Sequence, residues 1–165
     1  MDKKKYALGA GCAIFCIDVI TKVLTYLYIP LMDMFPYMYP YGGIAIAKNI
    51  LGIEASLVYK MNTGAAWGLF ADYQYYLLAL RIVLVGTFIG YCFWGKMRDT
   101  WYLPAALVLS GAVGNIVDFF FYGHVVDMIH LVLWGYDYPV FNVADSAIFC
   151  GVVWLIMISS TKDKT

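Results

Sequence analysis

The sequence predicts a membrane-embedded α-helical protein of four transmembrane helices, both termini cytoplasmic, with a small β-rich segment on the far side. Three observations carry this. Of its 165 residues, 63% are hydrophobic and 13% charged, which is too little polar surface for a soluble domain. Four apolar runs come near the ~20 residues that a helix rising ~1.5 Å per residue needs to cross the hydrocarbon. Basic residues gather in alternate flanks of those runs, the asymmetry that orients spans.

A net charge of zero leaves no basic face to displace counterions from phosphates, so nucleic acid is not an expected partner. The 15 Tyr and 5 Trp suit aromatic belts at two interfaces. Cys12, Cys16, Cys92 and Cys150 all fall inside apolar runs and read as reduced packing residues. A membrane enzyme that makes disulfides would need cysteine pairs in exposed loops.

The first span is expected over about residues 6–29. Its opening, KKKYALGAGC, resembles a signal peptide ending in a lipid-modified cysteine, but the apolar stretch before Cys12 is shorter than a signal core of at least about 7 residues. Asp18 and Lys22 lie in this span at i and i+4, acid first, the spacing at which a helix neutralises its own charges. Residues 30–72 are too long for a simple connection and too rich in Tyr, Ile and Gly for a disordered one. Their opening, PLMDMFPYMYPYGG, reads as interfacial, and residues 42–70 read as a small sheet lying on the membrane.

The second span, about residues 73–94, carries Arg81. The third, about 101–121, places Gly111, Asn115 and Asp118 at i, i+4 and i+7, one face of a helix. Gly111 and Gly114 admit a close neighbour, and Asn115 and Asp118 need partners inside the protein because lipid offers none. Residues 122–142 form the second outer connection, and about 143–159 the fourth span. The flanks MDKKK, GKMRD and TKDKT are then cytoplasmic, and residues 1–165 read as one integral membrane domain.

Two carboxylates stand out. Asp127 lies in GHVVDMIH, where its apolar neighbours strip it of water and no basic residue is close in sequence. Asp145 lies in FNVADS, three residues after Asn142, so that Asn142 reads as the cap of the fourth helix and Asp145 as an acid facing the positive end of its dipole. Two such acids suggest a pair that shares one proton and activates water between them.

Five motifs now stand in order along the spans: the D-x-x-x-K of Asp18 and Lys22, the N-x-G-A-A of Asn62 to Ala66, the G-x-x-G-N-x-x-D of Gly111 to Asp118, the V-V-D of Asp127, and the F-N-x-A-D of Phe141 to Asp145. In this the sequence resembles the bacterial lipoprotein signal peptidases, the aspartic peptidase family also called signal peptidase II. The resemblance implies an endopeptidase that cuts prolipoproteins before a cysteine already carrying diacylglycerol. Its implied partners are those lipid-modified signal peptides and membrane lipids, with no cofactor and no metal. The implied setting is the bacterial cytoplasmic (inner) membrane, as a monomer with its active site on the extracytoplasmic side beside a β-rich cradle.

Carried over by motif, Asp127 and Asp145 are the expected catalytic dyad. Asn62, Gly64, Asn115, Asp118 and Asn142 are expected to shape the site or hold the substrate backbone, with Asp18, Lys22, Gly111 and Gly114 supporting it. The sequence departs from the family at Phe119, where members carry arginine. Arg81 is expected to supply Asp118 with a basic partner instead, by reaching outward along the second span. MDMFPYMYPY reads as an insertion.

Two rival readings come from other classes. His124, Asp127 and His130, spaced by three, with Asp145 as a fourth ligand, suggest a metal-dependent membrane peptidase, although the spacing matches no motif of known mechanism. Acids within spans also suggest a small proton-coupled transporter, which would place them near the midplane.

Overall fold

The computed structural model describes residues 2–64, 69–95 and 97–160. Four helices, α1 (Lys3–Tyr28), α2 (Gln74–Trp94), α3 (Tyr102–Tyr122) and α4 (Val143–Ser160), are long and apolar enough to cross a membrane. The flank TKDKT and Lys96 of GKMRD lie outside the described residues.

Four strands complete the fold: β1 (Ile44–Ile50), β2 (Ile53–Asn62), β3 (Val125–Leu133) and β4 (Tyr136–Phe141). They form one antiparallel sheet in the order β1-β2-β3-β4. The expected sheet in residues 42–70 accounts for only two of them; β3 and β4 come from the stretch read as a plain connection. The signal for them was present. VVDMIHLVL is an apolar, β-branched run bounded by Gly123 and Gly135, as strands commonly are.

The chain folds as two compact units, one of Met1–Asp18, Leu78–Val117 and Val143–Thr165, the other of Val19–Leu77 and Asp118–Asn142. In the first, helices approach through small residues. A Cβ at Gly111 would lie 2.3 Å from the Ala144 carbonyl oxygen, and one at Gly151 2.7 Å from that of Pro104. In lipid, where no hydrophobic effect drives helices together, such backbone-to-backbone contact supplies the packing.

In the second unit the C-terminal part of α1 packs on the sheet. Ile29, Tyr59 and Val126 form its buried core, and the Tyr26 ring meets that of Tyr59 edge-on at 5.8 Å. The Pro- and Tyr-rich segment is folded against the strands. Its Tyr39 hydroxyl donates to the carbonyls of Ala47 (2.8 Å) and Ala55 (3.0 Å), its Tyr41 ring stands edge-on to His130 at 4.7 Å, and its Asp33 pairs with Lys60.

Candidate active site

Side chains alternate along a strand, so β3 sends Asp127 to one face and Val126, Met128 and His130 to the other. The second face is covered by α1, where the Thr25 hydroxyl meets the Met128 sulfur at 3.7 Å. Asp127 is nonetheless buried, and amides hold both of its oxygens. Asn62, at the end of β2, donates from Nδ2 to Asp127 Oδ2 at 2.8 Å; Asn142, just after β4, donates from Nδ2 to Oδ1 at 2.7 Å.

Neither amide can be turned round without loss. Asn62 Oδ1 accepts the Gly64 N–H at 3.0 Å, and Asn142 Nδ2 also donates to the Val126 carbonyl at 3.3 Å. Backbone groups have fixed polarity, so both side chains must present N–H to the carboxylate. Two such donors stabilise its ionised form and lock its rotamer. Ala65 and Ala66, which complete the N-x-G-A-A motif, lie outside the described residues.

The backbone beside Asp127 is pinned separately. Asp118 Oδ2 accepts the Val126 N–H at 3.2 Å and pairs with Lys22 Nζ at 2.8 Å, with both side chains buried. Asp118 thus has a basic partner in Lys22 of α1, from a helix other than the α2 that carries Arg81. Phe119, standing where an arginine was expected, instead turns its ring edge-on to Tyr75 at 5.7 Å.

In the helical unit, Asp145 sits in the first turn of α4 and accepts from Asn115 Nδ2 at 2.8 Å. The second amide of that helix, Ala144 N–H, donates to Asp18 Oδ1 at 2.8 Å. An acid from α1 thus satisfies one of the donors that a helix start leaves open, in addition to the Asn142 and Asp145 that sequence spacing set there. Gly114 makes room for it: a Cβ there would lie 2.6 Å from Asp18 Oδ2.

The histidines of the metal reading are occupied elsewhere. His124 Nε2 lies 2.8 Å from the Tyr59 hydroxyl, and His130 Nε2 lies 2.8 Å from Asp137 Oδ1, on the face of β3 that Asp127 does not share. Burial lowers the pKa of His124, against a smaller upward effect of its bond to the Tyr122 backbone. Burial, with Tyr26 and Tyr122 adding to it, pushes Tyr59 up to about 12. A neutral His124 therefore accepts a hydrogen bond from a neutral Tyr59. Sequence reasoning passed over Tyr59 and Lys60; Lys60 stands directly across from Asp127 in the strand register, a pairing with no local signature.

Four helices long and apolar enough to cross a membrane, a set of buried, hydrogen-bonded acids and a small antiparallel sheet define a multi-pass membrane protein. A profile of the family described as signal peptidase (SPase) II matches residues 11–161, and the chain belongs to this family of peptidases. The lipoprotein signal peptidase of Latilactobacillus sakei subsp. sakei (strain 23K) is 37% identical over 127 residues, 75% of this chain and 80% of that one. That of Chlamydia felis (strain Fe/C-56) is 34% identical over 155 residues, 90% and 88% of the two chains. Two solved structures, each of a bacterial membrane enzyme determined by the in meso method, share the fold. At 22% identity their TM-scores are 0.80, covering 98% of this chain and 93% of the other, and 0.75, covering 96% and 94%.

Proposed function

We propose that this chain removes signal peptides from prolipoproteins as an aspartic endopeptidase of the bacterial inner membrane, cutting before the diacylglyceryl-modified cysteine, with Asp127 and Asp145 as the working carboxylates. The observation that carries the catalytic type is the setting of Asp127: a buried acid with an amide donor on each oxygen. One carboxylate takes a proton from water while the other, protonated, polarises the scissile carbonyl, and no cofactor enters. Asn62 and Asn142 aim Asp127, Asn115 aims Asp145, and Lys22 with Asp118 holds the backbone at Val126. Gly64 takes part through its N–H to Asn62.

Membership of a peptidase family favours hydrolysis over proton-coupled transport. Basic flanks on the first and second cytoplasmic segments support both termini inside, which puts the sheet and Asp127 on the extracytoplasmic side, where exported prolipoproteins present their cleavage site at the bilayer surface. The enzyme acts as a monomer among membrane lipids. Mass spectrometry of a purified diacylglyceryl-modified peptide after incubation with the protein tests this directly. The expected product begins at the lipidated cysteine; cleavage at another bond, or loss of activity in a chelator, overturns the reading.

A further inference from the structure

The two hairpin turns of the sheet carry large apolar side chains where such turns ordinarily take asparagine or glycine. In the first, Leu51 and Gly52 have φ of 55° and 82°; in the second, Trp134 and Gly135 have 49° and 83°. Positive φ at both central residues is the type I′ geometry, whose first position favours Asn and Asp because they tolerate left-handed backbone. Leucine and tryptophan hold that conformation at a cost. The turns lie side by side. Trp134 N–H donates to the Gly52 carbonyl at 2.8 Å, and a Cβ at Gly52 would lie 2.6 Å from Trp134 Cδ1.

Leu51 and Trp134 thereby form one patch, continued by Ile50 and Tyr136; the four are 87%, 75%, 60% and 54% exposed. The turns themselves would be better served by asparagine at both positions, and the exposed side chains add little to the core. Their place in the sheet is also particular. Ile53 pairs with Leu133 at this tip, and Asn62 with Val125 at the other end. Nine residues at ~3.3 Å each put the tip about 30 Å from the end that carries Asn62 and Asp127. That other end is also where β3 follows α3 and β4 leads into α4, so the apolar tip is the free end of a sheet whose base is tied to membrane spans.

We propose that the tip formed by Leu51 and Trp134 inserts into the bilayer interface, so that its partner is the lipid surface. A patch of four side chains is far below the ~1,000 Å² of a stable protein interface. Tryptophan and tyrosine prefer the headgroup level, and a sheet tethered at its base meets the bilayer at high effective concentration. Anchored at its far end, the sheet keeps Asp127 at the depth of a membrane-held scissile bond; this consequence rests on the function proposed above, whereas the insertion does not.

The test uses the full chain in nanodiscs, with chain-brominated lipid as one quencher and aqueous iodide as the other. Subtracting the emission of Trp134→Asn from that of the unaltered protein isolates Trp134 among the 5 tryptophans. Brominated lipid should quench this component about twofold or more and iodide should leave it largely untouched, as for an interfacial indole. Leu51→Asn, with Trp134 retained, should lower the lipid quenching, and because asparagine suits the turn the melting temperature should not fall. Quenching by iodide and not by lipid, quenching by neither, or no change in Leu51→Asn overturns the proposal. None of these readouts involves a substrate, so they stand or fall apart from the catalytic assignment.

Discussion

Lys22 of α1 and Asp118 of α3 meet at 2.8 Å with both side chains buried, and the oxygen that takes the lysine also takes the backbone N–H of Val126, the residue before Asp127. A buried ion pair thus reaches the candidate catalytic strand through a single carboxylate oxygen. Removing one partner takes a buried counter-ion from the other, a loss of about 3–5 kcal/mol. We expect Lys22→Met to lower the melting temperature in detergent sharply and to reduce cleavage. Lys22→Met with Asp118→Leu should regain stability without regaining activity, because the Val126 N–H still lacks its acceptor. Full activity in the double variant would show that the pair matters only for folding.

Asp127→Asn and Asp145→Asn should each lower cleavage by about 10²–10⁴-fold or more, the range spanned by acid–base groups, while the protein remains folded and inserted. Combining them should add little, since each alone disables a shared unit. Turnover of a lipidated peptide, measured by mass spectrometry with thermal unfolding in parallel, checks this. A variant that keeps substantial activity excludes its residue from the dyad.

The two amides on Asp127 should be unequal. Asn142 is fully buried and serves both Asp127 and the Val126 carbonyl, so Asn142→Ala leaves two buried acceptors short, at about 1–3 kcal/mol for each group stranded. Asn62 is half-buried, and water can replace its amide in part. The expected order of loss in kcat is Asn142→Ala greater than Asn62→Ala, with KM less affected, and the double variant should be non-additive because both act on one carboxylate. Equal, additive losses would mean that the amides act independently of Asp127.

Glycines separate the tight contacts from the open ones. Gly111→Ala sets a Cβ against the Ala144 backbone, which cannot move without shifting α4, and Gly114→Ala crowds the carboxylate of Asp18 that holds the start of that helix. Each should destabilise by about 1–3 kcal/mol or more. Gly9→Ala, with nothing within 4 Å of the added carbon, should be neutral or stabilising by about 0.5–1 kcal/mol from helix propensity. Thermal shifts of the three purified variants test the contrast; a neutral Gly111→Ala would contradict the packing of α3 on α4.

The Tyr59–His124 pair predicts a stability window in pH. His124 has its pKa lowered by burial, so its contribution is complete above the unfolded value of about 6.5 and fades as pH falls below it. Tyr59 is raised by burial to about 12, so its contribution is complete below the unfolded value of about 10 and fades as pH rises toward the folded one. His124→Gln should flatten the acid limb of melting temperature against pH, and Tyr59→Phe the alkaline limb. Unchanged limbs in either variant would place the transition on other groups.

What the sequence determined by itself was the solvent and the number of crossings. Hydropathy is local and additive, so four apolar runs are four helices wherever they pack, because lipid leaves the backbone no other partner. It also showed which polar residues needed partners: Asp18, Lys22, Asn115, Asp118 and Asp127 were all picked out by the expense of leaving them dry. It did not show who those partners were. The i, i+4 spacing of Asp18 and Lys22 gave no hint that one would hold the start of α4 and the other Asp118. Half of the sheet, β3 and β4, was legible only as a run of apolar β-branched residues that equally suited a connection beside the membrane. The register that sets Lys60 across from Asp127, and brings Asn62 to a carboxylate 65 residues away, was decided by tertiary structure alone. Apolar strands are interchangeable to any local pattern, and a register or a hydrogen-bond partner is chosen only when the whole set of buried polar groups must be satisfied at once.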